Sequence, residues 1–142
     1  MGIRRKAREA ALQFLFQEDF KLEENGHSRE NLQERFAGFC TMYQVNRQAR
    51  PYALTLLTGV VESRQQVDDL IGQAASNWRL SRLAATDRNI LRLAGWEMMQ
   101  DNDVPDQVAI NEAVEIAKRF GSKESPSFIN GVLDAVKTVL RS

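Results

Sequence analysis

The chain has one cysteine, one histidine, three prolines and no net formal charge in 142 residues. Each scarcity removes a class of chemistry. A lone thiol, Cys40, forms no intrachain disulfide and suits a reducing compartment. The single imidazole, His27, stands in the polar run Asn25-Gly26-His27, where a turn is expected rather than a catalytic base. There is no C-x-x-C pair, no H-E-x-x-H motif, and no Gly-rich loop placed after a strand to cradle phosphates. No apolar run approaches membrane-spanning length, and the basic amino end lacks the hydrophobic segment of a signal peptide. A soluble cytoplasmic protein with no membrane association is therefore expected. Basic and acidic residues balance at 19 each, so no global positive field announces nucleic acid, and any such site must be a local patch. The raw materials are those of a binding protein, not an enzyme, with no metal site and no cofactor.

What the chain has in abundance is helical periodicity, and no convincing strand. Its 43% apolar content is enough for one compact domain with a sizeable core. The stretch from Val104 to Leu140 reads as two amphipathic helices in tandem. Ala109, Ile110, Ala113, Val114, Ile116, Ala117 and Phe120 share one face of the first. Pro105 and Asp106 suit its first turn, and Gly121 suits a C′ glycine. Ser125-Pro126 predicts an N-cap and N1 pair for the second helix, whose stripe is Phe128, Ile129, Val132, Leu133, Val136, Val139 and Leu140.

Upstream, residues 3 to 20 form a first helix with Ile3, Ala7, Ala10, Ala11, Phe14 and Leu15 facing a core, beside a second stripe of Arg5, Arg8, Leu12 and Phe16. Ser28 can cap a second helix carrying Leu32, Phe36, Phe39, Cys40 and Tyr43. Cys40 falls on its apolar face, as a core residue and not a nucleophile. Asn46 can cap a long third helix running to about Ser76, in which Gly59 and Gly72 permit close helix contact. Asp68-Asp69 point about 100° apart with no further ligand beside them, so a solvated face is expected and not a metal pair. Residues 77 to 82 read as a junction. The next helix spans Ala84 to Gln100, with apolar residues on two sides, as for a central helix packed between halves that takes Trp96 as core, or for a partner surface. Asp101-Asn102-Asp103 lacks the glycine and terminal glutamate of a calcium loop and reads as a turn.

One placement runs against helix physics. Arg4, Arg5, Lys6 and Arg8 crowd the amino end of the first helix, where the macrodipole favours anions. On charge alone two readings stand: a site for an external anion such as a phosphate backbone, or a solvated, idle helix end.

The run Arg4-Arg5-Lys6-Ala7-Arg8-Glu9-Ala10-Ala11-Leu12-Gln13 resembles the start of the NusB family of bacterial transcription antitermination factors. So do Asp87-Arg88-Asn89-Ile90-Leu91-Arg92-Leu93 and Asp103-Val104-Pro105. The same holds for Ala109-Ile110-Asn111-Glu112-Ala113 through Lys118, and for Phe128-Ile129-Asn130-Gly131-Val132-Leu133-Asp134. The likeness runs in order along nearly the whole chain, with residues 20 to 80 similar only in pattern. It implies an all-α fold of about seven helices in two small subdomains, approximately 1–78 and 79–142. It also implies binding of boxA-type single-stranded RNA, together with a small-subunit ribosomal protein (NusE), within the RNA polymerase antitermination complex that supports rRNA transcription.

By the same resemblance, Arg4, Arg5, Lys6 and Arg8 are the RNA-contacting element. Phe16 stands where the family usually has tyrosine, so it keeps a stacking face and loses a hydroxyl. Lys123, Glu124 and Phe128 lie at a second RNA-contacting loop, with Ser127 where a lysine is common; Phe128 is alternatively core. Trp96 replaces a common tyrosine, a packing change. Asp87 matches an acid on the partner-binding side, or simply pairs with its own helix dipole. Two other classes stay open: a protein-only helical adaptor or homodimer with an incidental basic end, and an rRNA-modifying enzyme of the methyltransferases that carry a similar domain. The second is disfavoured because no further domain and no cofactor loop follow.

Overall fold

The computed structural model describes residues 2–21, 28–101 and 103–142, which hold seven α-helices and no strand. His27 and Asn102, and with them two expected turns, lie outside the described residues. Among those described, no helix is long and apolar enough to cross a membrane. Two compact units span Met1–Glu62 and Ser63–Ser142.

The first unit contains α1 (Ile3–Lys21), α2 (Leu32–Tyr43) and α3 (Arg50–Glu62). Phe14 of α1 meets Phe36 and Phe39 of α2 edge-on, at centroid distances of 5.4 and 5.5 Å. Edge-to-face aromatic pairs of this kind contribute roughly 0.5–1.5 kcal/mol each beyond simple burial. Below them pack Ala7, Ala11 and Leu15 of α1 and Ala53, Leu56, Leu57 and Val60 of α3, all essentially inaccessible to water. Cys40 is buried here, and burial pushes its thiol pKa up, away from thiolate chemistry.

Two local expectations change in this unit. Helix α2 starts at Leu32 and not just after Ser28, because Asn31 adopts a left-handed backbone (φ 55°). The Ser28 hydroxyl instead accepts from the Glu30 N–H at 3.1 Å, closing a turn. Arg35 holds that turn: it donates to the carbonyls of Ser28 (2.9 Å) and Glu30, and its Nε reaches the buried Glu18 carboxylate at 2.8 Å. Second, the long helix expected from Asn46 to Ser76 is interrupted. Asn46 caps a 3-10 turn by accepting from the Gln48 N–H at 2.8 Å, and that turn leads into α3. The helix then breaks at Ser63 (φ −109°, ψ 23°). No proline or glycine marks this break, so its trace in the sequence is faint.

The second unit contains α4 (Arg64–Ala74), α5 (Ala85–Met99), α6 (Asp106–Phe120) and α7 (Ser125–Arg141). Breaking at Ser63 lets Val67, Leu70 and Ile71 of α4 turn toward α5 and α7. Helix α7 touches all three others, burying Ile129, Val132, Leu133 and Val136. Trp96 is half-buried. Gly72 makes no close helix contact, since a Cβ there would meet nothing within 4 Å.

Two polar clamps join these helices. Arg92, only 4% exposed, reaches Asp68 through Nε (2.8 Å) and Nη2 (3.2 Å), while Arg64 Nε binds the same carboxylate at 3.0 Å. Asp68 is thus an interhelical anchor and not part of a solvated face; Asp69, its exposed neighbour, accepts from Gln65. At the other end Arg141 grips Asp106 with two bonds of 2.8 and 2.7 Å and donates to the Met98 carbonyl. Hydrogen bonding and the positive charge of Arg141 hold the Asp106 carboxyl below the usual carboxylate range. A depressed native pKa contributes stability above the unfolded value, roughly 3.9, and loses it as pH falls through the native value. Acid unfolding followed by circular dichroism should therefore show a component below about pH 4 that an Asp106→Asn variant lacks. At neutral pH that variant should melt a few degrees lower.

The α6–α7 connection departs from the expected capping. Gly121 has φ −94°, an ordinary extended conformation, so a left-handed cap is not why glycine is there. The reason is space: a Cβ at 121 would lie 2.6 Å from Ser125 Cβ and 2.5 Å from its Oγ. Ser125 does not cap α7 but begins it, with Glu124 preceding and Pro126 in its first turn. Its buried hydroxyl accepts from the Ser122 N–H at 2.9 Å, stapling the loop shut. A Gly121→Ala change should overpack this corner and lower stability by about 1–3 kcal/mol, measurable by urea denaturation. Shortening its neighbour in Gly121→Ala/Ser125→Gly should recover part of that loss.

Candidate nucleic-acid interface

Helix α1 opens with no acidic residue in its first turn and four cations in its first six positions. The structure separates those cations by exposure. Arg4 is exposed, Arg5 and Lys6 are half-buried, and Arg8 is 5% exposed. Two of them meet Tyr52 at the start of α3. The Arg4 guanidinium carbon lies 4.5 Å from its ring centroid and that of Arg8 5.8 Å. A cation over a ring face is held by the ring quadrupole, so Tyr52 fixes where these two guanidiniums sit. Arg8 lies below the surface, while Arg4, Arg5 and Lys6 place charge where solvent can reach it.

Farther along α1, Phe16 is 37% exposed and meets the more exposed Phe20 edge-on at 5.0 Å. The expected stripe Arg5, Arg8, Leu12, Phe16 is therefore not one surface: Leu12 is 2% exposed and belongs to the core. Only its two ends reach solvent.

In the second unit, Lys123 and Glu124 are exposed on the stapled loop, and neither has an ion-pair partner among the described residues. Phe128 is half-buried at the edge of the α7 stripe. Its partner is Trp78, from the connection before α5, which meets it edge-on with centroids 5.5 Å apart. Trp78 itself is 58% exposed. The two rings border a cleft of about 270 Å³ lined also by Ala75, Asn77, Ser127 and Gly131. Asp87 lies in the first turn of α5, half-buried, and its Oδ1 is shielded from water with no hydrogen-bond partner among the described residues. A shielded acceptor without a donor is costly unless something supplies one.

Two residues escaped sequence reading. Tyr52 lies off the apolar stripe of its helix, directly after Pro51, and nothing local links it to α1. Trp78 carried a signal, an aromatic between Asn77 and Arg79 outside any helical period. Among the described residues no cluster of three or more metal-ligating side chains occurs.

The model of the NusB family matches residues 5–138. The transcription antitermination protein NusB of Desulfotalea psychrophila is 59% identical over 139 residues, covering 98% of each chain. That of Desulforapulum autotrophicum is 44% identical, covering 98% of this chain and 94% of its own. Among solved structures, T. maritima NusB superposes with a TM-score of 0.80 at 35% identity, covering 95% of this chain and 90% of that one. A crystal structure of antitermination factors NusB and NusE in complex with double-stranded RNA matches at TM-score 0.79, 25% identity and 98% of each chain.

Proposed function

This chain belongs to the NusB family, and on that footing we propose that it is a cytoplasmic, non-catalytic RNA-binding antitermination factor. It holds boxA-type single-stranded RNA jointly with the small-subunit ribosomal protein NusE, as part of the RNA polymerase complex that transcribes rRNA. The observation that carries this reading is the accessible cationic end of α1, where Arg4, Arg5 and Lys6 oppose their own helix dipole. A charge arrangement unfavourable to the free helix becomes favourable once a phosphate backbone lies against it.

In this mechanism Arg4, Arg5 and Lys6 contact phosphates, and Arg8 positions Arg4 through their shared Tyr52 ring. Phe16 and Phe128 offer ring surface to unstacked bases, Lys123 adds a phosphate contact, and Glu124 accepts from exocyclic amino groups. Asp87, half-buried in the first turn of α5, supplies a carboxylate for a donor on the ribosomal protein.

Co-purification tests this directly. Tagged chain, NusE and boxA-type RNA should elute from a sizing column as one complex containing all three. If the ribosomal protein co-elutes without RNA, or the chain elutes only as a dimer of itself, the RNA-holding role is refuted in favour of a protein-only adaptor.

A further inference from the structure

The cleft between the end of α4 and the start of α7 has a feature that the family assignment leaves unused. Trp78 leaves more than half of its surface in water while meeting Phe128 edge-to-face. An indole this exposed offers ring surface that a ligand can cover, and covering an aromatic of this size is strongly favourable. The segments that carry it are cationic on balance: Arg79 and Arg82 follow in the same connection, exposed, and Lys123 is exposed on the loop that leads to Phe128's helix, beside the exposed Glu124. No ion pair among the described residues neutralises these three. An exposed ring bordering a groove, on segments whose exposed charge is positive on balance, makes a chemistry complementary to an anionic polymer bearing flat, apolar units.

We propose that Trp78 is a base-stacking platform that, with Phe128, admits one unpaired nucleobase of the bound RNA. This rests on the RNA-binding reading above and names a subsite within it. The nearly perpendicular Phe128 ring packs against the indole and fixes it at the border of the cleft, where its exposed surface is available to stack on a base. A base still paired in a duplex cannot enter, since both its faces are covered by stacking neighbours; the site therefore selects single strands.

The chain's two tryptophans, Trp78 and Trp96, make the test optical. In a Trp96→Phe background, titration with boxA-type single-stranded RNA should quench the remaining emission at the midpoint given by labelled-RNA anisotropy. The same sequence annealed to its complement should leave emission unchanged. Trp78→Leu, which keeps an apolar side chain against Phe128 but removes the π face, should weaken single-strand binding about tenfold, within the usual range for one base–aromatic stack. Trp78→Phe should bind within about twofold of the parent. Melting curves of both variants verify the fold. Unaltered emission on saturation, or a folded Trp78→Leu variant with parental affinity, overturns the platform while leaving RNA binding intact. Absence of any RNA binding by the parent chain overturns the platform and the RNA-binding reading together.

Discussion

Replacing Arg4, Arg5 and Lys6 together with alanine should lower affinity for boxA-type RNA about a hundredfold at ~0.1 M salt, because each single-strand phosphate contact contributes roughly 0.7 to the slope of log affinity against log salt. Three lost contacts flatten that slope by about 2, and the difference between variant and parent shrinks toward nothing near 1 M salt. The convergence is diagnostic, since a misfolded variant would stay weak at every salt concentration. Stability should move little and in opposing directions. Arg4 loses its stack on Tyr52, while three cations leave a helix end that repels them. Arg8→Ala should behave differently. Its side chain is nearly inaccessible beside Tyr52, so the main effect is lost packing and a lower melting temperature, with only an indirect effect on RNA.

The largest stability effect is expected at the Asp68 clamp. Asp68→Ala leaves the Arg92 guanidinium buried with its carboxylate gone, and breaking a buried pair from one side costs about 3–5 kcal/mol. Burial already pushes the Arg92 pKa down, opposed by its bonds to Asp68 and the carboxylate's charge, with Arg64 and Arg88 adding repulsion. Taking Asp68 away therefore leaves three cations confronting one another. The double change Asp68→Leu/Arg92→Met removes both charges and should recover most of the loss, since apolar replacements of a buried pair are often neutral. Urea denaturation of parent, single and double variants gives the comparison. If the single variant loses under about 1 kcal/mol, the clamp is only a surface pair.

Fold class was legible in the sequence because it rests on periodic features, and the family because several distinctive residue runs lie in order along the chain. The stripes of α6 and α7 repeat at 3.6 residues, and their burial follows the period from Ala109 through Val136. What stayed hidden depends on contacts between distant residues. Asp68 reads as solvated until Arg92, 24 positions on, closes over it. Gly121 reads as a left-handed cap, and only the neighbouring Ser125 shows that it is small for lack of room. Arg8 reads as one of four equivalent cations, and only its burial in the folded unit separates it from the rest. Charge patterns identify what a surface offers; exposure, set by tertiary partners, decides which residues can offer it.

Joint holding of RNA by this chain and a second protein, starting from the cationic end of α1, is read out by anisotropy titration of labelled boxA-type RNA. The titration is made with the chain alone and with saturating NusE, across a series of salt concentrations. Binding should be weak and steeply salt-dependent alone, and markedly tighter with the partner present. Equal affinities with and without NusE, or a flat salt dependence, would contradict it.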